Sequence, residues 1–404
     1  MDKRNTKQKQ LEEAFARTTE QYFPSVEEWR AVINSGKRLR IKYGVDVTAP
    51  SLHIGHAVNL WMLRMLQDCG HKVIFLIGDF TTHIGDPTGR NKTRPMVSRE
   101  EMEENIQKFI DQIKGILRFD DPNLIEIRRN SEWYDKMPLV EFMNLLSMIT
   151  HSRLIDREMF KNRIEDGKEI FMHELVYAVL QGYDSVMLKS DLTIVGSDQI
   201  LNESIGRFYQ RKFNQKEQII ITTKVTHGID GAAKQSKSLN NYIGLGHSSR
   251  EKFANVMKLR HDLIMEYFEV YTLVPSGELK VISKMVKSDP LEAKKRLAVE
   301  IVARYHGQQI AEDEKRRFEQ SIFSNSPPED IVEMALEENP ASPFEVVVKY
   351  FGKKRHSKEI KNTFEQGGVK LNNNVVTDWE KKISFSEGDI FRAGKRDWFK
   401  IKLV

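Results

Sequence analysis

Short runs of apolar and β-branched residues recur through the first half of the chain and bracket stretches with helical periodicity. The runs lie at 40–45, 73–77, 124–127, 192–195 and 218–222. Between the first two runs, Leu60, Leu63 and Leu66 recur at helical spacing, which predicts a helix. Gly70 then stands where such a helix would end. Strands that alternate with helices in this order predict an α/β fold with a doubly wound parallel sheet.

The pattern changes twice in the second half of the chain. From Arg250 to Phe323 the sequence is rich in helix-forming residues and lacks strand patterns, which predicts a small helical domain. Proline-containing segments at 324–328 and 339–343 mark linkers on either side of a short acidic helix. The predicted segments are a Rossmann-like catalytic domain over 1–230 with a mostly helical insertion at about 102–171, a loop and helical domain over 231–325, a linker over 326–343, and a small α+β module over 344–404.

Composition narrows the class of protein. The chain has 404 residues, of which 40% are hydrophobic and 30% charged, and this balance excludes a mostly disordered or fibrous protein. No apolar run is long enough to cross a bilayer, and the polar N-terminus lacks the apolar stretch of a secretory signal, so we expect a cytoplasmic protein with no membrane partner. Cys69 is the single cysteine, which excludes an internal disulfide and a cysteine-based zinc site.

Positive charge is concentrated near the C-terminal end of the sequence. The whole chain carries a formal net charge of +5, whereas residues 344–404 carry 14 Lys or Arg against 8 Asp or Glu, a net +6. A concentrated basic segment is typical of a protein that binds a phosphate backbone, although a solvated basic surface has the same composition.

The segment from Gly44 to His56 runs from the end of a predicted strand into the start of a predicted helix. A helix N-terminus presents unpaired N–H groups to an anion, and Gly55 has no side chain to block the close approach of a flat base. His53 and His56 can donate hydrogen bonds to polyphosphate oxygens. Taken alone, the motif is better explained by two helix-surface histidines beside a packing glycine, because four residues of this kind recur by chance.

A second motif, Lys234-Gln235-Ser236-Lys237-Ser238, follows a turn-prone stretch at 228–231. Two lysines three residues apart on a mobile loop can clamp the charge of a pyrophosphate, whereas the alternative is a solvated basic loop. The combination of the first motif at a strand-to-helix junction with the second on a loop after the sheet is specific.

With these motifs, the chain resembles the class I aminoacyl-tRNA synthetases and, within them, the bacterial-type tyrosyl enzymes. The resemblance spans nearly all of the chain after roughly the first 35 residues. It extends to the segments at 75–81, 84–90, 177–184, 196–199 and 241–245.

Tyr177, Gln181 and Asp184 are spaced i, i+4 and i+7, which places them on one face of a helix that can line one pocket. The alternative is the polar outer face of an amphipathic helix, and the apolar residues around the three disfavour it. The resemblance implies that Asp184 accepts a hydrogen bond from the substrate phenol. It also implies that Tyr177, Gln181 and Asp86 hold the α-ammonium group of the amino acid.

The resemblance assigns the remaining candidate residues by substrate. Lys42, Gly44 and Gln199 are expected at the tyrosine site. The expected ATP-binding residues are Asp46, Thr48, Gly55, Arg90, Arg94, Gly196, Asp198 and Ser238. The expected catalytic residues are His53, His56, Lys234 and Lys237.

The implied reaction has two steps. L-tyrosine and ATP form tyrosyl-adenylate and pyrophosphate, and the tyrosyl group then passes to the terminal adenosine of its tRNA. Catalysis by positioning and charge stabilisation needs no protein nucleophile. Mg²⁺ is expected to arrive with ATP, without a dedicated metal site on the protein. The resemblance further implies a homodimer, with the insertion as a source of apolar contact surface.

The C-terminal module resembles the small RNA-binding domain named after ribosomal small-subunit protein four. The sequence of residues 357–372 predicts a short basic helix, a glycine turn and a strand. The expected RNA contacts are Lys358, Lys361 and Lys370. Lys361-Asn362 stands where that family often has arginines.

Two further positions depart from the family pattern. Gln235 replaces the methionine that is usual in the second motif, and Lys42 stands where many relatives have a tyrosine that shares the phenol hydrogen bond. Rival interpretations are a tryptophanyl enzyme of the same fold, a small-molecule nucleotidyltransferase that shares the first motif, and a catalytically silent RNA-binding relative. The tyrosine-specific residues disfavour the first rival, the C-terminal domains disfavour the second, and the intact motifs disfavour the third.

Overall fold

The computed structural model describes residues 3–46, 52–82, 84–85, 98–156, 158–231, 234–236, 239–323, 331–352, 355–394 and 397–404. The chain divides into two compact units, Met1–Glu312 and Asp313–Val404.

The first unit is built around a six-stranded sheet. Its strands are β1 Thr19–Phe23, β2 Arg40–Val45, β3 Lys72–Ile77, β4 Ile125–Arg129, β5 Leu192–Gly196 and β6 Ile219–Thr223. They lie in the order β1-β6-β5-β2-β3-β4, and every pair is parallel except the antiparallel pair β1 and β6. The predicted doubly wound parallel sheet is therefore confirmed. The sequence patterns identified β2 to β6 and missed β1, whose Thr-Glu-Gln-Tyr-Phe sequence is largely polar.

Helices flank this sheet. They are α1 Lys3–Thr18, α2 Val26–Ile33, α3 Ile54–Asp68, α4 Asp79–Thr82, α5 Arg99–Ile113, α6 Ser131–Tyr134, α7 Leu139–Ser147, α8 His151–Ile155, α9 Glu158–Glu165, α10 Met172–Leu188 and α11 Ile200–Lys212. The predicted insertion thus contains most of α5, all of α6 to α9, and also the edge strand β4. Its buried side chains, among them Trp133, Leu145 and Phe160, form one core cluster with the inner face of α10.

Close packing of α10 against α11 determines which polar residues meet in the interior. A Cβ atom added at Gly182 would lie 2.7 Å from Ile205 Cγ2, and one added at Gly206 would lie 2.7 Å from Ser185 Oγ. Glycine at both positions lets the two helices approach within van der Waals contact. As a result, Asn202 and Glu203 at the start of α11 are buried beside α10.

From Ser249 to Phe323 the chain is mainly helical. The helices are α12 Ser249–Met257, α13 Ile264–Tyr271, α14 Ser276–Ser288, α15 Pro290–His306 and α16 Gln308–Phe323, and the division between the two units falls within α16. Within the described parts of the chain, no helix combines the length and the apolar character needed to cross a membrane.

Beyond α16, the described residues of the second unit form a five-stranded sheet and two helices. The strands are β7 Val332–Leu336, β8 Val369–Leu371, β9 Asn374–Val375, β10 Ile390–Ala393 and β11 Asp397–Leu403, in the order β7-β11-β10-β8-β9. The helices are α17 Pro343–Phe351 and α18 Ser357–Glu365. Phe391 and Phe399 stack with ring centroids 5.0 Å apart in a core that also contains Phe364 and Ile401.

The segment predicted as a linker with a short acidic helix is different in the structure. Residues 332–336 form β7, which pairs in parallel with β11 and places Met334 opposite Ile401. Met334 and Leu336 are buried and Ala335 between them is exposed, so the apolar period is two and not helical. The helix prediction was wrong because Glu, Met, Ala and Leu favour helices locally, and pairing with β11 overrides that preference.

Candidate active site

The candidate residues gather at the carboxyl edge of the first sheet. β2 has β3 on one side and β5 on the other, so the strand order reverses between β2 and β5. Open α/β sheets bind their ligands at this kind of switch point, outside the strand ends. Asp46 follows β2, and Gly196 to Gln199 end β5 and turn into α11. The N-terminus of α3 follows β2 after residues 47–51.

The histidines of the first motif cap α3. His53 is the N-cap residue, and its Nδ1 accepts a hydrogen bond from Gly55 N at 3.2 Å. His56 Nδ1 accepts from His53 N at 3.3 Å, and the two ring centroids are 3.9 Å apart. A Cβ atom at Gly55 would lie 2.9 Å from the His53 ring, so this ring position requires glycine.

This capping arrangement determines how the imidazoles can act. A ring nitrogen that accepts a backbone N–H carries no proton, so the neutral form of each ring is protonated at Nε2. Each Nε2–H is then a donor at the positive end of the α3 dipole. Protonated Nδ1 atoms could not accept the capping bonds. The first motif therefore presents two imidazole N–H donors suited to phosphate oxygens.

The segment at 243–245, which follows the second motif, lies against the first motif through a short backbone pairing. Ile54 N donates to Ile243 O at 2.9 Å, and Leu245 N donates to Leu52 O at 2.9 Å. Lys234 forms a backbone bridge with His227, and its side chain is exposed. Lys237 and Ser238 lie outside the described residues.

Asp46 connects the strand end to α10. Tyr177 OH donates to Asp46 Oδ2 at 2.9 Å, and Thr81 Oγ1 donates to Oδ1 at 3.0 Å. A Cβ atom at Gly78 would lie 2.4 Å from Asp46 Oδ1, so glycine at 78 makes room for this carboxylate. A predicted ATP-binding residue and a predicted tyrosine-binding residue are thus directly hydrogen-bonded.

Asp184 lies deeper on the same face of α10, with 3% of its surface exposed. Trp133 Nε1 donates to Asp184 Oδ1 at 3.1 Å. Burial raises the pKa of Asp184 to about 7, while the positive charge of Lys42 and hydrogen bonding to the carboxylate oppose that rise. A carboxyl group in this position can change charge near neutral pH.

Lys42 lies in the interior beneath α10. Its Nζ atom is 2.8 Å from Glu203 Oε2 and donates to Ser185 Oγ at 2.8 Å, with 2% of each charged side chain exposed. The ammonium group, expected at the phenol site, is therefore engaged by α10 and α11. Its charge still reaches Asp184 through space.

A chain of hydrogen bonds continues from Glu203 to the end of β5. Gln181 Nε2 donates to Glu203 Oε1 at 2.9 Å, and Asn202 Nδ2 donates to Gln181 Oε1 at 2.7 Å. Asn202 Nδ2 also donates to Gln199 Oε1 at 3.1 Å. The network joins the proposed phenol end of the pocket to the proposed ribose end.

The turn after β5 is shaped by an aspartate. A Cβ atom at Gly196 would lie 2.5 Å from Asp198 Oδ1, so the carboxylate folds back over the glycine. Gln199 Nε2 donates to Asp198 Oδ2 at 3.3 Å.

The structure brings the described part of the predicted site together. Lys42, Gly44, Asp46, Tyr177, Gln181, Asp184, Gly196, Asp198 and Gln199 lie along β2, α10 and the end of β5. Thr48, Asp86, Arg90 and Arg94 lie outside the described residues. Lys358 and Lys361 are exposed on α18, and Lys370 is half-buried on β8, all in the second unit.

The sequence analysis missed the residues that support this site. Trp133, Ser185, Asn202 and Glu203 were not predicted, although each contacts a predicted residue. Trp133 lies just beyond β4. The polar residues that follow this strand were the sequence signal that could have indicated a site residue here. Asn202 and Glu203 on α11 were missed because their positions also fit the side of a helix that faces solvent. Among the described residues, no group of three or more His, Cys, Asp or Glu side chains is placed to hold a metal ion.

Comparison with known proteins defines the family. Residues 34–322 match the family model described as tRNA synthetases class I (W and Y). The chain belongs to this family, and the class I fold expected from the two motifs is confirmed.

Individual relatives extend the match beyond the family model. A Tyrosine–tRNA ligase of Moorella thermoacetica is 37% identical over 375 residues, covering 92% of this chain and 90% of that protein. One from Bordetella pertussis is 39% identical over 373 residues, with 92% and 90% coverage. The solved structure of a C-terminally truncated Coccidioides posadasii mitochondrial tyrosyl-tRNA synthetase has the same fold, with a TM-score of 0.62, 22% identity, and coverage of 78% of this chain and 96% of that one.

The raised pKa of Asp184 predicts a pH-dependent effect of Asp184→Asn. Between the ordinary aspartate pKa and about 7, the folded wild type keeps a proton that the unfolded chain loses, so its free energy of unfolding falls as pH rises. Asparagine lacks this effect. The stability of Asp184→Asn relative to wild type should therefore rise from pH 5 to pH 7, by about 2 kcal/mol, and level off above. Urea unfolding at pH 5, 6, 7 and 8 measures this, and a constant difference contradicts the assignment.

Proposed function

We propose that this chain is a tyrosine–tRNA ligase. In the first step, a carboxylate oxygen of L-tyrosine attacks the α-phosphorus of ATP, and pyrophosphate leaves. In the second, a hydroxyl of the terminal adenosine of the tRNA attacks the tyrosyl carbonyl, and AMP leaves. The observation that carries the proposal is the buried Asp184 carboxyl group, oriented by Trp133 on the face of α10 that leads to Asp46.

Asp184 supports tyrosine as the amino acid. Its buried carboxylate can accept a hydrogen bond from a phenol hydroxyl, and phenylalanine would leave that carboxylate without this partner. The relatives named for tyrosine cover about nine-tenths of the chain, and this favours tyrosine over tryptophan within the W and Y family.

The reacting end of tyrosine would lie beside Asp46. The 2.9 Å bond from Tyr177 to Asp46 puts the group expected at the α-ammonium beside a group expected at ATP. Gln181, Gln199 and Asp86 would complete the ammonium and carboxylate contacts. Gly44 leaves the strand end open to the substrate, and Lys42 sets the charge beneath the phenol.

ATP would lie across the N-terminus of α3. The Nε2–H groups of His53 and His56 would donate to its phosphates, and the helix dipole favours the charge that develops there. Lys234 and Lys237 would neutralise the departing pyrophosphate, with Thr48, Arg90, Arg94 and Ser238 as further phosphate contacts. Gly196 and Asp198 would meet the ribose. Mg²⁺ would enter on the ATP phosphates, because this ion usually binds proteins through substrate phosphates.

We place the enzyme in the cytoplasm, where charged tRNA is used.

ATP–pyrophosphate exchange with each of the twenty amino acids tests the first step. We expect exchange with tyrosine alone. His56→Ala should lower the exchange rate constant by about 100-fold, because electrostatic donors act mainly in the transition state, while the Kd for tyrosine stays within twofold. Exchange with tryptophan instead, or with no amino acid, would reject the proposal.

The second unit would hold the tRNA. Lys358 and Lys361 are exposed on α18, whose Ile360 and Phe364 are buried, and Lys370 lies on the neighbouring strand β8. Lysines on one exposed face suit the phosphate backbone of RNA. Lys349 on α17 is a useful contrast, because its ammonium already lies 3.3 Å from Glu337.

Replacing both Lys358 and Lys361 with glutamine should raise the KM for tRNA about 10-fold, because two phosphate contacts are lost, and should leave pyrophosphate exchange unchanged. Lys349→Gln is the matched control. Aminoacylation at several tRNA concentrations measures the effect. Equal KM values in the double variant and the control would show that α18 does not bind tRNA.

A homodimer is also part of the proposal. On α7, Leu139, Val140 and Met143 are 74%, 67% and 54% exposed, and they lie within one turn of each other. Contiguous exposed apolar side chains usually mark a contact surface. A second copy of the chain is the proposed occupant.

Val140→Asp should convert the dimer to a monomer at micromolar concentration, because the introduced carboxylate would be buried without a partner. Light scattering gives the molar mass. Val281→Asp provides the control, since Val281 is 59% exposed on α14. A monomeric wild type, or an unchanged mass for Val140→Asp, would contradict the proposed interface.

A further inference from the structure

The side chain of Gln235 is buried inside the second motif, with 5% of its surface exposed. It stands between the exposed Lys234 and the half-buried Ser236. Burial of a primary amide costs free energy unless both its donor and acceptor atoms are hydrogen-bonded. The partners of this amide therefore indicate what the side chain does.

The amide nitrogen of Gln235 binds α13 and the segment after β6. Gln235 Nε2 donates to Tyr271 OH at 2.7 Å and to Thr226 Oγ1 at 3.2 Å. The hydroxyl groups of Thr226 and Tyr271 are also hydrogen-bonded to each other. One turn earlier on α13, Tyr267 OH donates to His227 O at 2.8 Å. The same face of α13 therefore contacts both Gln235 and the backbone at His227, with which Lys234 pairs.

The amide oxygen of Gln235 points to the other side of the loop. Ile243 N donates to Gln235 Oε1 at 3.4 Å, and Ile243 O accepts the bond from Ile54 N in the first turn of α3. A Cβ atom at Gly55 would lie 3.8 Å from Gln235 Nε2. One side chain therefore links α13, the segment at 243 and the capped N-terminus of α3.

A methionine, the residue expected here from the family pattern, could not make these bonds. Its thioether has no hydrogen to donate to Tyr271 or Thr226, and sulfur is a weak acceptor for Ile243 N. The two hydroxyl groups and the glutamine amide therefore form one polar set in which each member satisfies the others.

We propose that Gln235 is a positioning residue that fixes the start of the phosphate-binding loop against α13 and the first turn of α3. The amide holds the backbone at 234–236 in place before ATP arrives, so less of the loop has to be ordered during pyrophosphate release. A catalytic group that is already ordered loses less entropy in the transition state, and this lowers the activation barrier. The inference rests on the proposed tyrosine–tRNA ligase activity for its kinetic consequence, and on geometry alone for the anchor.

Kinetics of Gln235→Met test the positioning role. We expect kcat/KM for ATP in pyrophosphate exchange to fall about 10-fold, because the hydrogen bonds that hold the loop are lost. The Kd for tyrosine without ATP should stay within twofold. Tyr271→Phe should reduce kcat/KM by about 3-fold, and the double variant should be no worse than Gln235→Met, because both changes remove the same anchor.

Gln67→Met is the matched control. Gln67 is a buried glutamine near the far end of α3, where its amide bonds Leu124 O and Arg118 N. Its replacement should lower the melting temperature and leave kcat/KM for ATP unchanged. An equal kinetic loss in both glutamine variants, or a parallel loss of tyrosine affinity in Gln235→Met, would show that Gln235 is merely structural.

Hydrogen exchange separates failure of the anchor from failure of the proposed activity. The amide of Ile243 should exchange faster in Gln235→Met than in wild type and in Gln67→Met, because its acceptor is gone. This readout needs no substrate. An unchanged Ile243 exchange rate would overturn the anchor even in an active enzyme, and absence of tyrosine-dependent exchange in wild type would reject the activity alone.

Discussion

The structure of the site depends on the buried ion pair between Lys42 and Glu203. These side chains join β2 to α11 beneath α10, and both are removed from solvent. Burying two charges costs several kcal/mol per ion unless their remaining polar atoms are satisfied. Gln218 Nε2 donates to Glu203 Oε2 at 2.8 Å, and Gln181 and Ser185 complete the shell. The same bonds that make burial tolerable also fix α10, which bears the proposed tyrosine-binding residues.

The ion pair has a chemical consequence for Asp184. Although its ammonium group is paired with Glu203, Lys42 still lowers the pKa of Asp184 through space and so opposes the effect of burial. Burial raises its pKa to about 7, and a phenol that donates to its ionised form would compensate for that burial. In the proposed function, recognition of the phenol hydroxyl would therefore depend on how the interior balances its charges. Asp46 and the cap of α3 would face the reacting atoms in the proposed function.

Sequence patterns were sufficient for the parts of this architecture that repeat with a fixed period. Strands β2 to β6 and the face of α10 with Tyr177, Gln181 and Asp184 followed from such periods. Glu203 and Ser185 did not, because a polar residue on a helix usually faces solvent, and close approach at Gly182 and Gly206 turns these two inward. The strand β7 was mistaken for a helix because its pairing with β11 is non-local. Gln235 in the second motif could be recognised as unusual. Its partners on α13 could not be predicted from residue spacing.

A double-mutant cycle on the ion pair tests the central claim most directly. The quantity is the free energy of unfolding in urea for wild type, Lys42→Met, Glu203→Met and the double variant. Each single change leaves one buried charge without its partner and should cost about 3–5 kcal/mol. The account predicts that the double variant, which buries neither charge, loses less than either single variant. Additive losses would contradict it, because they would mean that Lys42 and Glu203 contribute to the fold independently.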